Sequence, residues 1–225
     1  MSLNIIPVLC DEKNMKNYAY IVHSPITSTT IIIDAAEANP ILKKLNELNL
    51  TPSHIFSTHH HFDHVEGNSI LKEKYNLTII APIDEFDKVP SADIKAKNNT
   101  PITINDIQIT PIHSPGHTLG HMVYYIKEEN ALFTGDVLFN LCVGGLFEGT
   151  SSQMYSSLAN IKSLPKETII YPGHEYTRAC LTRELLTLPN FDTYLKKMLS
   201  REQGNHIFST LEEELQYNPY LQSQQ

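Results

Sequence analysis

Four side chains able to bind a divalent metal lie within six residues, in the run His59-His60-His61-Phe62-Asp63-His64. Zinc takes imidazole and carboxylate ligands at about 2.0–2.2 Å. Side chains alternate between faces on a regular strand, so we expect His59, His61 and Asp63 to share one side. The same alternation points His60 away, and a following turn would bring His64 round. Four ligands exceed what one three-ligand catalytic site takes from a single loop, so the run favours two ions.

Three more candidate ligands follow apolar segments and lie beside glycine or proline. They are His117 in Gly116-His117-Thr118-Leu119-Gly120-His121, Asp136 in Thr134-Gly135-Asp136, and His174 in Pro172-Gly173-His174-Glu175. Loops at strand ends often carry chemistry in layered α/β folds. We expect His113 and His121 to orient or pack the His117 loop, because ligating histidines need oriented partners. The remaining histidines are interpreted as surface or strand-end residues: His23, His54 and His206.

Hydrophobic periodicity predicts strands alternating with helices over the first three quarters of the chain. The predicted strands are 17–22, 29–34, 54–57, 78–81, 103–104, 107–112, 122–126, 131–134 and 168–172, and the predicted helices are 39–50, 68–75 and 152–163. After Tyr176 the apolar residues recur at helical spacing, divided by Pro189 and Gly204. The pattern therefore predicts α/β layering in a domain over 1–175, with a helical region over 176–225.

Composition narrows the classes of partner. The chain has 225 residues, 41% hydrophobic and 19% charged, and a formal net charge of −8. An acidic chain with no basic run is a poor match for nucleic acid. No apolar run of membrane-spanning length and no signal peptide is visible, so we expect a cytoplasmic protein without a membrane partner. Three separated cysteines (Cys10, Cys142 and Cys180) predict free thiols rather than a disulfide framework, which agrees with a reducing compartment.

The ordered ligand series resembles that of the metallo-β-lactamase superfamily. Within it, the motifs around His117, Asp136 and His174, together with Phe147-Glu148-Gly149-Thr150, are similar to glyoxalase II, the hydroxyacylglutathione hydrolases. The resemblance implies a four-layer αββα sandwich followed by a small C-terminal helical domain that binds substrate. It also implies two divalent metal ions, zinc, iron or manganese, in a monomer or small homo-oligomer.

The resemblance assigns roles by motif. His59, His61 and His117 would hold the first ion. Asp63, His64 and His174 would hold the second. Asp136 would bridge the two, so that Asp63 and Asp136 are the predicted catalytic carboxylates. Phe147 and Tyr176 would contact the substrate.

The implied reaction is thioester hydrolysis by a hydroxide shared between the two ions. One zinc alone brings the pKa of its water to about 7. The implied substrate is S-lactoylglutathione, which yields glutathione and D-lactate in methylglyoxal detoxification.

The chain departs from the family where glutathione would be held. Gly145 stands where glyoxalase II has a basic residue, Phe147 where it has a tyrosine, and Gln222 where the tail usually has an arginine. Charge-assisted contacts to carboxylates contribute roughly 1.5–3 kcal/mol each. The cations available as replacements are Arg178, Arg183 and Lys196.

Four alternatives stay open. One is a thioesterase for a thiol carrier other than glutathione. Another is a persulfide dioxygenase-like oxidoreductase with a single iron, against which the pairing of His64 with His174 argues. The third is a metal-bound protein without catalysis. A β-lactamase or a nucleic-acid phosphodiesterase is a further option, and the acidic charge disfavours the nuclease.

Overall fold

Two β-sheets form the centre of the molecule. A computed structural model describes residues 2–11, 14–182, 185–200 and 208–222. The first sheet has the spatial order β1-β2-β3-β4-β5-β6. Its strands are β1 Asn4–Leu9, β2 Tyr18–His23, β3 Thr30–Ile33, β4 His54–Phe56, β5 Thr78–Pro82 and β6 Ile94–Ala96. The β1–β2 and β2–β3 pairs are antiparallel, and β3 to β6 are parallel.

The second sheet has the order β13-β10-β9-β8-β7, and a separate hairpin joins β11 to β12. The strands are β7 Ile102–Ile104, β8 Ile107–His113, β9 Met122–Ile126, β10 Ala131–Gly135, β11 Leu138–Phe139, β12 Cys142–Val143 and β13 Ile169–Pro172. Strand β10 pairs in parallel with β13, which places the chain just after both strands at one edge of the sheet.

The described helices are α1 Ala38–Glu47, α2 Phe62–Val65, α3 Asn68–Tyr75, α4 Ser151–Lys162, α5 Phe191–Ser200, α6 Leu211–Tyr217 and α7 Pro219–Gln222. Of these, α1 and α3 cover the outer face of the first sheet, and α4 covers that of the second. Short 3₁₀ turns lie at Ile83–Lys88, Lys127–Glu129 and Leu185–Thr187. Among the described helices, none combines the length and apolar character needed to cross a bilayer.

Alternation along β3 shows how the layers form. Ile31 and Ile33 point into the core between the sheets, whereas Ile32 points into the core under α1 and α3. A third core joins α4 to the far face of the second sheet through Met154 and Leu158. The four layers are therefore helix, sheet, sheet and helix, which confirms the predicted αββα class.

The sequence predicted most of these elements, with ends displaced by a few residues. It missed β1, β6 and the β11–β12 hairpin, which are short or lie beside polar segments. Beyond β13, the described residues form helices and turns. Leu211 and Leu221 nevertheless pack into the α4 core, while Phe191 and Tyr194 belong to a separate apolar cluster. A domain boundary at residue 175 stays a prediction.

The cysteine prediction was wrong for two of the three residues. Cys142 and Cys180 form a disulfide with a Cα–Cα distance of 5.9 Å, and Cys10 is buried and free. The two partners are 38 residues apart in the chain. Spacing could not reveal the pair because the β11–β12 hairpin and the segment after Tyr176 meet only in the folded protein.

Candidate metal centre

Three imidazoles form the first candidate ligand group. His59 and His61 lie in the loop after β4, and His117 lies in the loop between β8 and β9. One ring nitrogen from each lies within 4.8 Å of the others. His61 Nδ1 is 2.9 Å from His117 Nε2. This spacing between lone-pair-bearing atoms suits a shared cation.

A second group lies directly beside the first. Asp63, His64 and His174 also bring ligand atoms within 4.8 Å of one another. The Nε2 atoms of His64 and His174 are 3.2 Å apart, and His174 Nε2 is 3.5 Å from Asp63 Oδ2. His174 follows β13, so both sheets contribute to the centre.

Asp136 lies between the two groups. Its Oδ2 is 3.4 Å from His117 Nε2 and 3.2 Å from His174 Nε2, and its Oδ1 is 3.3 Å from His64 Nε2. Gly135 before it adopts φ +46°, which turns the chain out of β10 toward the centre. The position matches the bridging role that remains a prediction for this carboxylate.

The prediction that His59, His61 and Asp63 share one face of a strand was wrong. Strand β4 ends at Phe56, so His59, His61 and Asp63 do not alternate along a strand. His61 instead precedes the short helix α2, which carries both Asp63 and His64. Successive helical side chains are about 100° apart, which allows both residues to face the same centre.

The second ring nitrogen of four candidate ligands has a fixed partner. His64 Nδ1 donates to Asp34 Oδ2 at 2.9 Å, His174 Nδ1 to the Met15 carbonyl at 2.8 Å, and His117 Nδ1 to the Gly145 carbonyl at 2.8 Å. His59 Nδ1 lies 3.0 Å from Thr58 Oγ1. Such partners orient the ring and direct the opposite nitrogen toward a metal.

Two buried polar residues fix the ligand segment from outside. Asp34 directly follows β3, with φ +53°, and accepts from the Thr58 N–H at 2.7 Å and the Thr58 hydroxyl at 2.8 Å. Asn17 Nδ2 donates to Asp63 Oδ2 and to the Asp63 carbonyl, both at 2.9 Å. Asp34 is the last residue of the predicted strand 29–34, and an acid at a strand end is a signal that the sequence alone offers. The sequence offers none for Asn17.

Glycine makes the close packing around Asp136 possible. A Cβ atom built on Gly173 would lie 2.3 Å from Asp136 Oδ1, and one built on Gly144 would lie 1.9 Å from the Asp136 carbonyl oxygen. Both distances are too short for any side chain, so only glycine lets the backbone approach Asp136 this closely at these two positions.

Charge and burial act in opposite directions at the centre. Burial, assisted by His64 and His121, lowers the pKa of His59 well below its ordinary value. Burial also lowers the pKa of His61 and of His117. These rings are therefore neutral at pH 7, the form that binds a metal.

Asp136 and His64 are coupled. Burial opposes ionisation of Asp136, yet His64 and His174 hold its pKa well below the usual range. Burial likewise opposes protonation of His64, but Asp136 and Asp34 outweigh it and raise the pKa of His64 well above its ordinary value. A cation that binds at His64 must therefore displace a proton.

The donor set fits divalent cations. His59 Nε2 is fully buried and has no hydrogen-bond partner among the described residues. An unsatisfied buried acceptor is costly unless something binds it. Five imidazoles and two carboxylates around one point match the ligands of zinc, iron or manganese.

The other histidines divide as expected near the centre. His60 points away from the ligand groups and bonds to Glu85, with Nδ1 to Oε2 at 2.8 Å. His121 stacks on His59 and accepts the Asp136 N–H at Nε2, 3.1 Å away. His113 bonds to the Leu119 carbonyl. His206 lies outside the described residues.

A cavity of about 520 Å³ opens over the centre. Its lining includes candidate ligands from both groups and an apolar rim: Met15, His61, Phe62, Asp63, His117, Asp136, Phe139, Gly144, Gly145, Phe147 and Tyr176. Phe62 is 67% exposed and Phe147 74% exposed. Among the described residues, no lysine or arginine lines the cavity. Of the three cations considered above, Arg178 and Lys196 are exposed, and Arg183 lies outside the described residues.

The two predicted substrate contacts lie at this cavity. The Phe147 ring is 5.1 Å from the His117 ring and 5.5 Å from the His61 ring. Tyr176 stacks on His174 at 4.6 Å. Burial raises the pKa of Tyr176 to about 12, so its hydroxyl keeps its proton.

The hairpin beside the cavity is held by the C-terminal helices. Leu141, at its tip, has φ +67° and donates its N–H to Glu214 Oε2 at 2.9 Å. Asn218 Nδ2 donates to the same oxygen at 2.8 Å and to the Cys142 carbonyl at 3.2 Å. The Cys142–Cys180 disulfide adds a covalent link.

Glu175 and Thr150, an acid and a hydroxyl from the motifs quoted above, have structural partners. Glu175 accepts from the Tyr18 hydroxyl at 2.9 Å and from the Thr177 N–H at 3.2 Å. Thr150 caps α4 and forms a capping box with Gln153. The Glu175 contacts fix the segment next to the candidate ligand His174, and the Thr150 contacts fix the start of α4.

Comparison with known proteins agrees with this geometry. Residues 15–174 match the family model described as the metallo-beta-lactamase superfamily. The chain is 39% identical over 229 residues to "Hydroxyacylglutathione hydrolase" of Pelagibacter ubique, covering 99% of this chain and 93% of that protein.

Solved structures share the fold at lower identity. The BLEG-1 B3 metallo-beta-lactamase superposes with a TM-score of 0.76 at 23% identity, covering 99% of this chain and 100% of that one. ETHE1 from Myxococcus xanthus gives a TM-score of 0.73 at 23% identity, covering 97% and 84%. The family model and the Pelagibacter ubique relative show that the chain is a metal-dependent hydrolase that belongs to the metallo-β-lactamase superfamily.

Proposed function

We propose that the chain hydrolyses the thioester of a hydroxyacylglutathione, with S-lactoylglutathione as substrate and glutathione and D-lactate as products. The observation that carries the proposal is the gathering of seven candidate ligands beneath one cavity. The relative of Pelagibacter ubique, which is similar over nearly the whole chain, supports the substrate class.

The proposed ligand assignment follows the two groups. His59, His61 and His117 would hold one divalent cation. Asp63, His64 and His174 would hold the other, and Asp136, which lies between the two groups, would be shared by both. Zinc is the proposed metal, with iron or manganese as alternatives. When bound, such cations supply Lewis acidity and lower the pKa of coordinated water to near neutrality.

The chain's own residues supply position. Asp34 and the Met15 carbonyl orient the rings of His64 and His174, and the Gly145 carbonyl orients His117. Tyr176 offers a protonated hydroxyl at the cavity. A thiolate leaves readily, so the reaction needs less help from a general acid than amide hydrolysis would.

The completeness of the second group favours hydrolysis over a one-iron persulfide oxygenase. Asp63, His64 and His174 are all in place, so the chain offers a ligand group for a second ion, which a two-ion hydrolase would use. A carrier other than glutathione remains the main competing substrate, because the described cavity lining is apolar around the ligands.

The test is substrate comparison with the metal-loaded protein. We expect the highest kcat/KM on S-lactoylglutathione, loss of thiol release after chelation and recovery when zinc is returned. A higher kcat/KM on thioesters of other thiols would overturn the glutathione assignment. Oxygen uptake with glutathione persulfide, without thioester cleavage, would overturn hydrolysis itself.

A further inference from the structure

Glu85 is a buried acid that the proposed reaction does not use. It lies in the 3₁₀ turn Ile83–Lys88, only 1% exposed. Its Oε1 accepts the Gly120 N–H at 2.9 Å and the Thr118 hydroxyl. Its Oε2 accepts His60 Nδ1–H at 2.8 Å. Three donors therefore converge on one carboxylate.

These donors belong to the two segments that carry the first ligand group. His60 lies between His59 and His61 in the chain. Thr118 and Gly120 follow His117. The two segments are more than 50 residues apart in sequence, as the separation of 56 between His61 and His117 shows. Glu85, which is not one of the residues that line the cavity, thus joins the two segments.

Gly120 permits this approach. A Cβ atom there would lie 2.5 Å from Glu85 Cγ and 3.0 Å from Asp84 Cβ. The His117 loop therefore rests directly on the turn that carries Glu85. A larger residue would separate the loop from the carboxylate.

Glu148 is a second acid that contacts both ligand-bearing segments, nearer the surface. Glu148 Oε2 accepts the Leu119 N–H at 3.0 Å, and Glu148 Oε1 is 3.5 Å from His60 Nε2. Glu148 also pairs with Lys88 and is more exposed than Glu85. The buried carboxylate therefore carries more of the positional constraint, because solvent weakens the outer contacts.

We propose that Glu85 is a positioning residue for the first metal, setting the distance between the His59–His61 segment and His117. The inference rests on the proposed metal site. It predicts that the first ion (His59, His61 and His117) depends on Glu85, whereas the second ion (Asp63, His64 and His174) does not. A residue that merely stabilises the fold would not distinguish the two ions.

The test measures zinc affinity in metal-free full-length protein, by titration against a chromophoric chelator. Glu85→Gln keeps one acceptor oxygen, Glu85→Leu keeps none, and Thr118→Val removes a single donor without changing side-chain shape. We expect the affinity of one ion to fall roughly 10–100-fold in Glu85→Leu, with smaller losses in the other two variants. The affinity of the second ion should stay unchanged.

Glu214→Gln is the matched control, because Glu214 is also buried and also accepts a backbone N–H, but at the β11–β12 hairpin. It should leave both zinc affinities unchanged. Equal losses for both ions, or no loss in Glu85→Leu, would overturn the proposal. If Glu85→Leu does not fold, Thr118→Val and Glu85→Gln decide by the same criterion.

The outcome is independent of the substrate. A wild-type protein that binds two zinc ions but cleaves no thioester would overturn the proposed function and leave the role of Glu85 standing. A wild-type protein that cleaves the thioester, with unchanged zinc affinity in every Glu85 variant, would support the proposed function and overturn the role of Glu85.

Discussion

The ligand groups and the cavity wall opposite them are built in different ways. Most candidate ligands are buried, and four of the five histidines have a fixed partner on the second ring nitrogen. The wall consists of the β11–β12 hairpin, Gly144, Gly145, Phe147 and Tyr176, and the side chain of Phe147 is largely exposed. From this comparison we expect buried polar contacts to set the reaction type and the exposed side chains of the wall to set the choice of substrate.

Removing the shared carboxylate should have the largest effect. Asp136→Asn keeps the size of the side chain but removes the charge between the two groups. We expect kcat/KM for the thioester to fall roughly 10²–10³-fold or more, the loss typical of a single group that stabilises developing charge. Asp87→Asn, at an exposed aspartate, is the control and should match wild type. Near-normal activity in Asp136→Asn would remove this residue from the centre.

Glu214, which holds the hairpin of the wall, should make the stability of the fold depend on pH. Burial raises the pKa of this carboxyl from 4.5 to about 7. The folded state therefore favours the neutral acid, so its contribution to stability is fully present below about pH 4.5 and is lost as pH rises through 7. The difference corresponds to about 3 kcal/mol, at about 1.4 kcal/mol for each tenfold change in proton affinity.

Glu214→Gln keeps an acceptor for the Leu141 N–H and cannot ionise. Denaturant unfolding at pH 5 and pH 8 should therefore show wild type losing stability relative to the variant as pH rises. Parallel pH profiles for the two proteins would show that Glu214 is not held as a neutral acid.

Weakening the hydrogen bond that orients His64 should have an intermediate effect on zinc affinity. Asp34→Asn tolerates the left-handed backbone at this position but offers His64 a weaker acceptor. We expect zinc affinity to fall roughly 10–100-fold. The measurement is chelator competition, with Asp106→Asn as an exposed control. Unchanged affinity would contradict an orienting role for Asp34.

Adding a cation to the wall should have the smallest effect and the most specific one. Gly145→Lys places an ammonium group beside Phe147, since a Cβ atom at Gly145 would lie 3.3 Å from the ring and requires only a small adjustment. We expect kcat/KM for S-lactoylglutathione to rise roughly tenfold, as one charge-assisted contact forms. Gly145→Met has similar length without charge. An equal rise in both variants, or no rise in either, would show that the absence of a cation at Gly145 does not limit glutathione binding.

The sequence anticipated the ligands better than their supports. His117, Asp136 and His174 were recognisable because each follows an apolar strand at a glycine turn. The strand alternation expected for His59 to Asp63 failed, because local pattern does not show that the chain turns into α2 after His61. Glu85 and Asn17 carry no local signal at all, since their partners are distant in sequence. The Cys142–Cys180 pair was missed for the same reason.

The central claim is that two metal ions together support hydrolysis. The most direct test measures the number of zinc ions bound per chain and the rate of thioester hydrolysis at each step of loading. Metal-free protein should take up two zinc ions per chain, and thioester hydrolysis should reach its maximum only as the second ion binds. The His174→Ala variant should retain one ion and lose most of its activity. Full activity with a single ion per chain, in wild type or in His174→Ala, would contradict the account.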